Sequence, residues 1–370
     1  MEIKKVKLKA LDSFINSQEY KTYKHQPISR FRALSYMHNP RADNEDIVLY
    51  LAFKNNQLVG YRTILADKIG VKEKNIKLGW LSGNWVDPEY RRQGIASLLL
   101  EEAFMDWEGK LLFTNYAPES KAVYDKSDKF ICYKHYKGLR LYYRSSVYNL
   151  LKERSAFVRN MKYFLRIFDF ILNLFQQIRL NRHYHKHISL VPAFEYVHKP
   201  DTDVFKLVSS MQENELERRS SLEFSWILKH PWVGTAPVPD QNSGKYHFSN
   251  FAKQFENICL KIFHRDELCG FLHLVRKDNF LSVPYFYIFP EVDARGVAQI
   301  INLIAIKLKV SVLTVYHPDL VKALRRLNPP VLAKKEMVRN YMVSKKLKEI
   351  LPDENHIYFQ DGDGDLVFTG

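Results

Sequence analysis

The chain has 370 residues, of which 56 are Lys or Arg and 41 are Asp or Glu, giving a formal net charge of +15. With 46% hydrophobic residues, 26% charged residues and only 14 glycines, wholesale disorder and collagen-like or linker-rich architectures are excluded. The length suits two domains with separate cores, and the positive balance attracts phosphate-bearing ligands, nucleic acid or an anionic membrane without choosing among them.

Residues 47–66 hold two β-rich runs, Ile47–Phe53 and Leu58–Ala66, around the polar turn Lys54-Asn55-Asn56-Gln57. That is the pattern of a hairpin. A third run, Leu78–Val86, leads through Asp87-Pro88-Glu89-Tyr90 to a helix that opens near Gly94, where Ile95, Leu98, Leu99, Ala103 and Phe104 recur at helical spacing. Leu111–Thr114 reads as a short strand, Glu119–Asp125 as a helix and Phe130–Val147 as further strands. The order predicts a mixed α/β layer with one crossover.

From Phe157 to Leu180, Arg159, Lys162, Arg166, Asp169, Asn173 and Gln176 or Gln177 make a single polar stripe on a helix. Val158, Met161, Phe164, Leu165, Phe168, Ile171, Leu172 and Phe175 cover most of the rest, so a broad apolar face needs a cover. Burial between two domains is the first expectation. Peripheral membrane contact through 157–180 is the second, because Lys152, Arg154, Arg159, Lys162 and Arg166 suit anionic lipid.

The first-half pattern then recurs. Residues 258–275 repeat the hairpin, with Gly270 standing 210 positions after Gly60. Gly296-Val-Ala298 follows Gly94-Ile-Ala96 at 202, and Val315-Tyr316-His-Pro318-Asp319 follows Asn115-Tyr116-Ala-Pro118-Glu119 at 200. Three features in one order predict a duplicated domain. The expected segments are 1–150, an amphipathic linker helix over 151–187, and 188–370.

The stretch richest in chemistry is Val86-Asp-Pro-Glu-Tyr-Arg91-Arg92-Gln93-Gly94-Ile95-Ala96-Ser97. A strand feeds a tight turn, and the turn opens a helix. Small residues at 94 and 96 let ligand oxygens approach the backbone, while the first-turn amides and the helix dipole favour a diphosphate. Arg91 and Arg92 add positive charge beside it. These residues by themselves specify a phosphate-bearing ligand and no more.

The segment resembles motif A of the GNAT superfamily of N-acetyltransferases, Gln or Arg, two residues, Gly, one residue, then Gly or Ala. Arg91, Gly94 and Ala96 match it. Asn115, Tyr124 and Phe130 resemble the family's downstream Asn, Tyr and Gly-Phe region, although Ser127-Asp128-Lys129 carries an extra residue and no Gly. The resemblance covers residues 45–140 and, more loosely, 1–44. The second half resembles the same fold in degenerate form: Asp293 replaces the Arg or Gln and would repel a diphosphate.

The resemblance implies two GNAT-like α/β domains, each a central mixed β-sheet flanked by helices, the second shaping the acceptor cleft. It implies transfer from acetyl-CoA or another acyl-CoA to a small-molecule amine. The pyrophosphate would lie on the amides of Arg92, Gln93, Gly94, Ile95, Ala96 and Ser97. The pantetheine would run beside Trp85-Val86, where a backbone N–H polarises the thioester carbonyl. Arg91 and Asn115 complete the expected cofactor-binding set. Tyr124 is the candidate acid for the departing thiolate.

No carboxylate occupies Lys77–Val86, where the family often has a Glu, so the general base stays unassigned among Ser82, Asn84, His38 and Asp67. His183-Tyr-His185-Lys-His187 reads as a basic linker rather than a zinc site, and Asp361-Gly-Asp363-Gly-Asp365 as a hairpin turn between 357–359 and 366–368. No metal is expected. No RNA-binding signature accompanies the charge, so no nucleic-acid partner is expected either. Cys132, Cys259 and Cys269 form neither a disulfide framework nor a zinc motif, which suits a reducing cytoplasm. Neither a signal peptide nor an apolar run of about 18 residues is seen.

The sequence thus predicts a cytoplasmic acyl-CoA-dependent N-acyltransferase, membrane-associated if the middle helix anchors it. Its expected acceptor is an amino sugar of surface-polysaccharide synthesis. The alternatives are a Fem-like aminoacyl-tRNA-dependent transferase, disfavoured by the intact coenzyme A loop, and a non-catalytic acyl-CoA-binding protein.

Overall fold

The alternating apolar runs and helical spacings fold into a mixed α/β chain in the computed structural model, which describes residues 1–71, 74–115, 118–147, 160–235, 245–248 and 250–369. In chain order the first elements are β1 (Glu2–Lys7), α1 (Leu11–Asn16), α2 (Gln18–Thr22), α3 (Arg30–Met37), β2 (Ile47–Lys54), β3 (Gln57–Val71) and β4 (Lys74–Val86). Next come α4 (Ile95–Asp106), β5 (Leu111–Thr114), α5 (Pro118–Ser127), β6 (Phe130–Tyr142), α6 (Lys162–His187) and β7 (Ala193–Val197). They are followed by α7 (Thr202–Met211), α8 (Ser221–Lys229), β8 (Gly234–Thr235), β9 (Phe251–Ala252), β10 (Phe255–His264), β11 (Glu267–Lys277) and β12 (Phe280–Ile288). The last are α9 (Ala294–Lys307), β13 (Val312–Val315), α10 (Pro318–Leu327) and β14 (Ala333–Ser344).

Contacts divide the chain into two compact units, and neither is continuous in sequence. Unit 1 comprises residues 1–135, 199–255 and 339–369; unit 2 comprises 136–198 and 256–338. This grouping departs from the expected segments 1–150, 151–187 and 188–370. The reason is local: Tyr341–Val343 of β14 pair with β5, whereas Leu139–Tyr142 of β6 pair with β13.

In unit 1 the strand order is β1-β2-β3-β4-β5-β14, antiparallel except for the parallel pair β4/β5. Asn55 and Asn56 both have positive φ, 50° and 60°, the geometry of a tight two-residue hairpin turn. α4 lays Leu99, Leu100 and Ala103 on Tyr50, Val59, Ile64, Leu81 and Phe113 to form the core. Unit 2 has the order β6-β13-β12-β11-β10-β7, again with one parallel pair, β12/β13. α9 covers that sheet, with Val297, Ile300, Ile301 and Ile304 packed among Leu260, Leu272, Leu281 and Leu313.

Three expectations need correction. The apolar face of α6 is not buried between domains. The helix docks onto unit 2 by its polar stripe: Asp169 accepts from Ser145 Oγ and from the Val147 amide at 2.9 Å, and Asn173 exchanges two bonds with the backbone of Ser145. Gln176 donates to the Pro330 carbonyl, and Leu180 is fully buried. Amphipathicity distinguishes two faces of a helix but does not say which one turns inward. Second, His183–His187 is the last turn of this helix rather than an extended linker, and His183 lies 3.0 Å from Asn302 Nδ2. Third, residues 361–365 do not join two strands. They form buried turns ahead of a 3-10 turn at Leu366–Phe368, held where Trp232 stacks on Phe368. Residues 157–159 of the expected helix lie outside the described residues.

Candidate active site

Unit 1 contains the strand–turn–helix singled out in the sequence. β4 carries a bulge at Ser82, because Ile64 pairs with Leu81 and Thr63 with Gly83. The parallel pairing with β5 runs only through Gly79–Leu111 and Trp80–Leu112. Beyond Trp80 no further pairing joins the two strands among the described residues, and β4 continues from Ser82 to Val86 paired with β3.

At the end of β4, Asp87 caps a 3-10 turn (Pro88–Tyr90) by accepting from the Glu89 amide. Arg91 Nε donates to the Val86 carbonyl at 3.3 Å, and Gln93 accepts from Lys54 Nζ at 3.0 Å. Arg92 (φ 62°) and Gly94 (φ 81°) are both left-handed, which winds the chain tightly into α4. The first helical bond runs from the Leu98 amide to the Gly94 carbonyl, so the amides of Ile95, Ala96 and Ser97 have no acceptor inside the helix.

A diphosphate fits this opening on two observations. An added Cβ at Gly94 would meet nothing within 4 Å, so the turn borders open space. The first turn of α4 also carries no acidic residue. The corresponding opening in unit 2 is different. Asp293 caps α9 through the Arg295 amide, and a Cβ at Gly296 would strike Pro192 at 2.6 Å. A carboxylate and a proline ring occupy what is open at Gly94.

Tyr124, on α5, is nearly buried. Its ring stacks on Phe113 (centroids 4.3 Å apart) and meets Phe130 edge-on. Its hydroxyl accepts from Nη1 of Arg62 at 3.2 Å. Arg62 was missed by the sequence reading, and its signal was a cation inside the apolar run Leu58–Ala66. It is 1% exposed, and its Nε and Nη2 have no hydrogen-bond partner among the described residues. A buried guanidinium with two orphaned donors, on the α4 face of the sheet, suits a site that takes anionic ligand atoms.

Other predicted residues are placed as follows. Trp85 is buried, stacked on Tyr61 with centroids 5.4 Å apart and flanked by His25 at 4.6 Å; Val86 pairs with Gly60. Asn115 is left-handed and exchanges bonds with the backbone of Asn340 on β14. Of the base candidates, Asp67 is tied to Arg41 and Arg219; burial opposes its charge, but the two guanidiniums hold its carboxyl below the ordinary value. His38 is exposed and stacked on His230. Asn84 leaves its Oδ1 without a partner among the described residues.

Ser82 gains an unforeseen partner. Its hydroxyl donates to Oδ2 of Asp365, delivered by the C-terminal segment. Gly364 makes the approach feasible: its φ is +71°, and a Cβ there would stand 2.7 Å from the Trp80 ring. Burial raises the Asp365 carboxyl above its ordinary range, against the opposing pull of Ser82 and Arg32. Arg32 is itself buried, bonded to the hydroxyls of Tyr36 and Tyr246 and lying 4.1 Å over the Trp232 ring.

Residues 2–128 match the family model described as the acetyltransferase (GNAT) domain. The N-terminal part of the chain, residues 2–128, is thus similar to an acetyltransferase (GNAT) domain. No curated protein matches it. Among solved structures, a conserved Enterococcus faecalis protein titled a probable N-acyltransferase is 10% identical, aligns over 93% of this chain and 72% of its own, and has a TM-score of 0.50. A GCN5-related N-acetyltransferase from Anabaena variabilis is 9% identical over 92% of this chain and 72% of its own, with a TM-score of 0.46. N-myristoyltransferase of Saccharomyces cerevisiae, solved with bound myristoyl-CoA, is 11% identical over 80% and 68%, with a TM-score of 0.43. At 10% identity, the likeness to the Enterococcus faecalis protein is one of fold alone.

Proposed function

We propose that this protein transfers an acyl group, acetyl in the simplest case, from an acyl-CoA to the primary amine of a small molecule. The observation that carries this reading is the opening of α4: a left-handed Gly94 facing open space, at the end of a β4 strand whose pairing with β5 stops at Trp80. The amides of residues 92–97 hold the diphosphate, with Arg91 and Arg92 adding charge. The β4 backbone at Trp85-Val86 positions the thioester, and an N–H there stabilises charge on its oxygen.

The thioester supplies an activated acyl carbon. The amine nitrogen bonds to that carbon as the C–S bond breaks. Asp365, whose carboxyl burial raises above its ordinary range, takes the proton that leaves the nitrogen, directly or across a water ordered with Ser82. Tyr124 gives a proton to the departing sulfur, and Nη1 of Arg62, which donates to its hydroxyl, holds that hydroxyl in place. This assignment fills the role that β4 itself leaves vacant.

We read unit 2 as a second copy of the same fold that has lost its anion site, on the repeated strand order and the closed opening of α9. The amino-sugar acceptor rests on this paired layout and on the exposed face of α6. Titration calorimetry with acetyl-CoA, followed by a mass-spectrometric screen of amines for acylated product, tests the function. Heat of binding and thiol release with at least one amine are expected. No heat with acetyl-CoA, or stabilisation by aminoacyl-tRNA in its place, overturns it.

A further inference from the structure

We propose that the outward face of α6 lies in the plane of an anionic lipid surface and anchors the protein to one leaflet. The helix is inverted relative to an ordinary surface helix, which turns its apolar stripe to the core and its polar stripe to water. Here Asp169, Asn173, Gln176 and Gln177 face unit 2 and are hydrogen-bonded there. The outward positions carry Tyr163 (76% exposed), Phe164 (63%), Ile167 (59%), Phe170 (68%), Leu174 (55%) and Phe175 (67%). Their spacing of three and four residues makes one continuous stripe along a helix of 26 residues, about 39 Å long. An apolar surface of that extent marks an interaction site.

Charge selects the occupant. Lys162 and Arg166 stand toward one end of the stripe, and Arg179, Arg182 and Lys186 toward the other. The helix has a single acid, Asp169, and it is turned to Ser145. Anionic headgroups complement this pattern all along the helix. A second copy does not, because pairing two such helices sets a basic end against a basic end whichever way they run. No described helix is long and apolar enough to cross a membrane, so the contact lies in the interface plane.

The test is flotation of the full chain with phosphatidylcholine vesicles prepared with and without phosphatidylglycerol. Wild type is expected to float with the anionic vesicles and to lose more than about tenfold in binding without the anionic lipid or at high salt. The double variant Phe164→Glu/Phe175→Glu should stay at the bottom of the gradient while melting at the wild-type temperature, since both side chains project from the surface. Arg179→Glu/Arg182→Glu should weaken binding to anionic vesicles alone. Absence of flotation with any vesicle, equal flotation of the Phe variant, or an α6-dependent dimer that ignores vesicles overturns the proposal. None of these readouts depends on acyl transfer.

Discussion

The carboxylate of Asp365 accepts a hydrogen bond from the hydroxyl of Ser82, the extra residue of the β4 bulge, although the two stand 283 positions apart. If this carboxylate takes the amine proton, Asp365→Asn removes the base while keeping the bond to Ser82. The variant is expected to lower kcat by about 10²-fold or more and to leave acyl-CoA affinity nearly unchanged. The sign of the pH effect follows from the active form being deprotonated. In wild type, activity falls as pH drops through a carboxyl group raised above the ordinary range, and in the variant that acid limb disappears. Rate–pH profiles measured beside calorimetric affinities decide it, and a retained acid limb removes Asp365 from the role.

Gly94→Ala separates backbone strain from packing. Because a Cβ at this position meets no neighbour, no clash accompanies the change. Forcing alanine to a φ of +81° still costs about 1–2 kcal/mol, and the methyl group projects into the space assigned to the diphosphate. Stability should drop by that modest amount, whereas acetyl-CoA affinity should fall by about tenfold or more. Calorimetry read alongside thermal melting checks both. A variant that melts earlier yet binds normally places the ligand elsewhere.

Tyr124→Phe keeps the ring between Phe113 and Phe130 and deletes only the hydroxyl that Arg62 contacts. Folding should survive, with a loss of about 1–3 kcal/mol because a buried guanidinium donor loses its acceptor. Thiol release should slow by about 10²-fold while the dissociation constant for acetyl-CoA holds. A variant with unchanged turnover makes the tyrosine a packing residue.

What could be read in the sequence was what is local. The strand, turn and helix from Val86 to Ser97 occupy consecutive residues, and their turn chemistry is written in Arg92, Gly94 and the Asp87-Pro88 step. Asn55-Asn56 announced the β2–β3 turn in the same way. What escaped depends on long-range pairing. Nothing near Ser82 points to residue 365, and the Asp-Gly-Asp-Gly-Asp run has the composition of an exposed turn. Gly364 lies against Trp80, and Phe368 just beyond the run packs on Trp226 and Trp232, which makes the segment a buried tail. The orientation of α6 was equally hidden, since the stripes of a helix are visible in sequence but the partners of Asp169 and Asn173 are not.

Glu223 supplies a stability test that is independent of catalysis. Its carboxylate accepts from Arg41 Nε at 2.8 Å and from the Ser220 amide at 2.8 Å, closing the capping box of α8. Burial disfavours its charge, but Arg41 and the Ser220 bonds prevail and bring the carboxyl down from 4.5 to about 2. A carboxyl depressed by folding contributes stability that is fully present above its unfolded value and is lost as pH falls toward the folded one. Glu223→Gln should therefore destabilise the protein by about 2 kcal/mol at neutral pH, the scale of a hydrogen-bonded charge in a partly buried site. Below pH 4.5 the gap should narrow, and the two melting curves should converge as pH approaches about 2. Urea denaturation across that range measures it. A gap that stays constant with pH would mean that the amide disturbs packing and that the Arg41 contact contributes little.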